Sequence, residues 1–141
     1  MKTLVTLLAV LASAPLSARA QEDIMGTWNV VSRPAELNTC GKPAEPSAYQ
    51  WLLTENAGKV TVTVQGETAY KKLSGTYANG ELVLDGPAKA GMFSDVSGNA
   101  VLVLQVRDGS FTGIRYALSV KSVPGGQALC MVTFNVTGKK Q

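Results

Sequence analysis

The sequence predicts an all-β protein, an eight-stranded antiparallel up-and-down β-barrel. Three observations carry the prediction. Past residue 20 the chain is a succession of runs rich in Val, Thr, Leu and Tyr, bounded by Gly, Pro, Asn and Asp, with no helical periodicity. One run, Lys59-Val60-Thr61-Val62-Thr63-Val64-Gln65, alternates strictly and reads as a half-buried strand. The connections alternate between long and tight, which in an up-and-down barrel gathers the long ones on one rim. An immunoglobulin-like sandwich is the alternative, because Trp51 follows Cys40 in a Cys…Trp…Cys order ending at Cys130.

Residues 1–20 precede the predicted fold. Lys2 gives a positive start, Leu4 through Ala12 is apolar but too short to span a bilayer, and Ala18-Arg19-Ala20 offers small residues where a signal peptidase reads. The segment reads as a secretory signal peptide cleaved near Ala20. Residues 21–141 are then one barrel domain, periplasmic or secreted. Of the 13 Lys and Arg, Lys2 and Arg19 leave with that segment, so 11 basic residues face 10 acidic ones. A domain so nearly neutral has no basic stripe to recruit nucleic acid or an anionic membrane, and no later run is long enough for a membrane helix.

The strands follow in order. The first is Thr27–Ser32, after Gly26. A long connection, Arg33–Ser47, carries Pro34, Cys40, Gly41, Pro43 and Pro46. The second strand is Ala48–Thr54, closed by the turn Glu55–Gly58, and the third is Lys59–Gln65. Gly66–Ala69 leads to a fourth over Tyr70–Tyr77. Asn79-Gly80 then fits a tight hairpin turn, whose central residues need positive φ. The fifth, Glu81–Asp85, runs into a second long connection, Gly86–Asn99, with Met92 and Phe93 placed to reach over the barrel mouth. The sixth is Ala100–Val106, turned by Arg107–Ser110 into the seventh, Phe111–Val120. Pro124-Gly125-Gly126 precedes the last, Ala128–Thr137.

Cys40 and Cys130 both fall at the loop-bearing end, on segments that neighbour each other in a closed barrel, and in an exported chain they predict one disulfide. The chain holds no histidine. That removes Ser-His-Asp and Cys-His catalysis and the usual His-bearing zinc sites. Glu55, Asp85, Asp95 and Asp108 fall mostly at turns, where carboxylates cap backbone. No catalytic residue, metal site or cofactor is expected, and the chain is read as a non-enzyme.

Alternation assigns the interior. Trp28, Leu53, Val60, Tyr77, Leu82, Val106, Ile114 and Val136 are expected near the tightly turned end. Tyr49, Val64, Leu73, Leu84, Leu102, Leu118 and Val132 are expected toward the loops, with Trp51, Val62, Tyr116 and Phe134 between. The candidate ligand-binding set is Tyr49, Trp51, Val62, Val64, Leu73, Leu84, Phe93, Leu102, Tyr116, Leu118, Val132 and Phe134, with a tyrosine hydroxyl of Tyr49 or Tyr116 orienting a small apolar ligand. An eight-stranded barrel is either filled by such side chains or holds one small molecule, so the residues leave both readings open. Val101-Leu102-Val103-Leu104 is apolar on both faces, which gives its outer face something to pack on, a second copy or a protein partner.

Gly26-Thr27-Trp28 at the head of the first strand resembles the G-x-W motif of lipocalins and the wider calycin group. The resemblance implies that Gly26 and Trp28 close the barrel floor, that the interior takes a small apolar ligand, and that an arginine packs over the tryptophan. Lys139 and Lys140 follow the last strand here, with Arg107 and Arg115 as substitutes. The start is also similar to Inh-type metalloprotease inhibitors, small exported barrels whose N-terminal trunk plugs a protease cleft. In that alternative, a protein-binding barrel, Gln21-Glu22-Asp23-Ile24 is the trunk.

Overall fold

The computed structural model describes residues 24–41, 44–65, 72–89 and 97–141. Eight strands follow one another: β1 (Gly26–Asn38), β2 (Ser47–Asn56), β3 (Lys59–Gln65), β4 (Lys72–Ala78), β5 (Glu81–Lys89), β6 (Ser97–Arg107), β7 (Ser110–Val123) and β8 (Gly126–Lys140). Each pairs antiparallel with the next, and β8 pairs back onto β1, so the sheet closes in simple order. That closure overturns the sandwich. The signal-peptide reading, Gln21–Asp23, Tyr70, Met92, Phe93 and Asp95 lie outside the described residues.

Turn chemistry sets the register at one end. Ala57-Gly58, Asn79-Gly80 and Asp108-Gly109 each hold two successive residues at positive φ, 51° and 79°, 52° and 78°, 50° and 70°. Such two-residue turns match the twist of the strands they join. The start of β1 and the last residue meet at this end too: Gln141 N–H donates to the Thr27 carbonyl at 2.9 Å.

Two expectations are corrected. Arg33–Asn38 is not loop but the continuation of β1, which leaves β2 after the Ser32–Ser47 pair and follows β8 with a register shift between Pro34 and Asn38. A proline is tolerated at such a bulge, where one flank of the strand has no ladder to feed.

The second correction concerns β7. Ile114, Tyr116 and Leu118 were expected inside, yet Ile114 and Leu118 are exposed and Tyr116 half-buried on the outer face, while Phe111, Arg115 and Ser119 are buried. The cause is the hairpin. Asp108-Gly109 pairs Arg107 with Ser110, and that register sets Leu104 opposite Gly113 and Leu102 opposite Arg115. Directly opposed residues share a face, so the buried leucines draw Gly113 and Arg115 inward.

Small residues on this inner face make room for large ones across it. A Cβ on Gly138 would lie 2.2 Å from the Phe111 ring, so only glycine lets that ring lie flat against β8. At Gly113 a Cβ would come 2.0 Å from the Val103 carbonyl oxygen, which records how closely β6 and β7 approach there. Glycines at such positions let a strand bend enough to close a barrel.

Candidate functional site

The interior is the site that the fold constructs. Nine of the expected lining residues are buried within it: Tyr49, Trp51, Val62, Val64, Leu73, Leu84, Leu102, Val132 and Phe134. Tyr116 and Leu118 are on the outer face, so of the two tyrosines proposed to orient a ligand only Tyr49 faces inward. Sequence alternation missed Phe111, Arg115 and Ser119. The signal that finds them is the Asp108-Gly109 turn, counted forward two residues at a time.

The floor is aromatic. Trp28 is fully buried and its indole N–H donates to the Ile24 carbonyl at 2.8 Å. Phe111 stands 5.1 Å from the Trp28 ring and 5.2 Å from Trp51, and Trp51 is 6.2 Å from Tyr49. The four rings climb the barrel as a column at separations typical of favourable aromatic pairs. Phe111 packs against Trp28, and Lys140, one of the two lysines offered in place of the arginine, is paired directly opposite Trp28 on β8. Arg107 is exposed and ion-paired to Asp108, and Arg115 lies over Phe134 with its guanidinium carbon 3.9 Å from the ring centroid. Gly26 starts β1 at a φ of 114°, just before the tryptophan.

Packing is close along most of the axis: Trp28, Leu53, Val60, Leu82, Leu104 and Val136 are at most 1% exposed, and so are Trp51, Val62, Leu73, Leu84 and Leu102. Higher up, Tyr49, Val64, Phe134 and Arg115 each keep 7% and Val132 keeps 5%. The interior is polar there as well. Arg115 brings a buried cation, and Trp51 Nε1 and Ser32 Oγ are buried without a hydrogen-bond partner. No group of three or more metal-ligating side chains occurs among the described residues.

The mouth is strapped on one side. Cys40 and Cys130 form a disulfide with a Cα separation of 4.9 Å. Beside it Thr39 N–H donates to the Met131 carbonyl at 2.9 Å, Met131 N–H donates to Thr39 Oγ1 at 2.8 Å, and Lys121 Nζ donates to the Thr39 carbonyl at 2.6 Å. The disulfide fits an extracellular or periplasmic protein. Among the described residues no helix is long and apolar enough to cross a membrane, which leaves spanning by strands aside.

No protein-family model, curated protein or solved structure matches the chain. The eight-stranded closed barrel with its disulfide is compatible with a lipocalin-like fold, and function is argued from the site itself.

Proposed function

We propose that this protein is an exported, lipocalin-like, non-catalytic barrel that binds one small, largely apolar molecule in the mouth half of its interior. The observation that carries the reading is a closed barrel whose inward side chains are almost all apolar, with small residual exposure at Tyr49, Val64, Val132 and Phe134. Burying a ligand's apolar surface there contributes roughly 25 cal/mol per Å² before association costs. Tyr49, Val64, Val132 and Phe134 supply the apolar contact.

Titrating the protein with 1-decanol tests this, with tryptophan fluorescence as readout because Trp51 lies inside the barrel between Tyr49 and Phe111. Saturation at one equivalent is expected, lost in Val132→Phe, which fills the space, and kept in Leu118→Phe, which adds bulk outside. Absence of saturable binding, or equal binding by both variants, overturns the reading. The molecule then reverts to the second one, a protein-binding barrel with a filled interior. An inhibitor trunk is a poorer fit to that second reading, because Ile24 is fully buried in the core rather than free to leave it.

A further inference from the structure

We draw no further inference here: the strongest candidate, the outward apolar face of β6 and β7 formed by Val101, Val103, Ile114, Tyr116 and Leu118, carries nothing because nothing in the structure shows what covers it.

Discussion

At the turned end of the barrel, Trp28, Leu53, Val60, Leu82 and Val136 pack to at most 1% accessibility around a column of aromatic rings. Toward the loop-bearing end, the same strands carry Tyr49, Val64, Val132, Phe134 and Arg115, each with a little surface still reachable. The two halves also close differently. The floor is held by two-residue turns and by the terminal strands zipping together, the mouth by a covalent bond and three hydrogen bonds around Thr39. A packed floor gives stability without help. The loop-bearing end takes a cross-link in addition to its packing.

If that division is right, the floor carries the largest single-residue effect. Trp28→Ala removes a fully buried indole, its contact with Phe111 and its bond to Ile24, and should cost about 3–5 kcal/mol in urea unfolding. A loss below about 1 kcal/mol would mean the floor collapses around the gap and is no more rigid than the mouth. The strap comes next. The cysteines are 90 residues apart, and removing both should cost about 2–5 kcal/mol. Hydrogen exchange sharpens this further: amides of Cys40 and Met131 should lose protection in the Cys40→Ser, Cys130→Ser protein while those of Trp28 and Val60 keep theirs. Uniform loss along every strand would erase the distinction between the halves.

A smaller effect is expected at Gly138. Alanine there meets the Phe111 ring, which Trp28 and Trp51 hold on its other sides, so Gly138→Ala should destabilise by about 1–3 kcal/mol through overpacking. Phe111→Leu in the same chain should recover part of the loss, a non-additivity that a double-mutant cycle measures. Full additivity would place the strain somewhere other than the floor.

The barrel, its strand order and the disulfide were legible because each rests on a local signal. Asn79-Gly80 specifies a hairpin by itself, and Val60, Val62 and Val64 show their buried face through strict alternation. What alternation could not settle was a strand with two plausible faces. On β7 the row Ile114, Tyr116, Leu118, Val120 is the more apolar, and the row Phe111, Gly113, Arg115, Ala117, Ser119 is the one inside. β6, being apolar on both faces, offered no arbitration in the sequence, and the physical arbiter was the register of the Asp108-Gly109 turn, which pairs Arg107 with Ser110 and so sets Gly113 and Arg115 opposite the buried Leu104 and Leu102. The continuation of β1 past Ser32 was hidden for a related reason. Pro34 reads as a breaker, and only the nearness of β8, 100 residues further on, keeps it in a ladder.

The smallest predicted effect tests that inverted face directly. Leu118→Thr alters an outward residue that is 40% exposed, so stability should change by no more than about 0.5 kcal/mol. Were Leu118 an interior residue, the same change would remove buried methyl groups and bury a hydroxyl, at a cost of several kcal/mol. The control is one residue away. Ser119 faces inward opposite Cys130 and is 3% exposed, so Ser119→Leu should destabilise by about 1–3 kcal/mol although it makes the strand more hydrophobic. A tolerated leucine at 119 together with a damaging threonine at 118 would return the even-numbered face of β7 to the interior. Arg115 would then point to solvent, and its stacking on Phe134 would be lost.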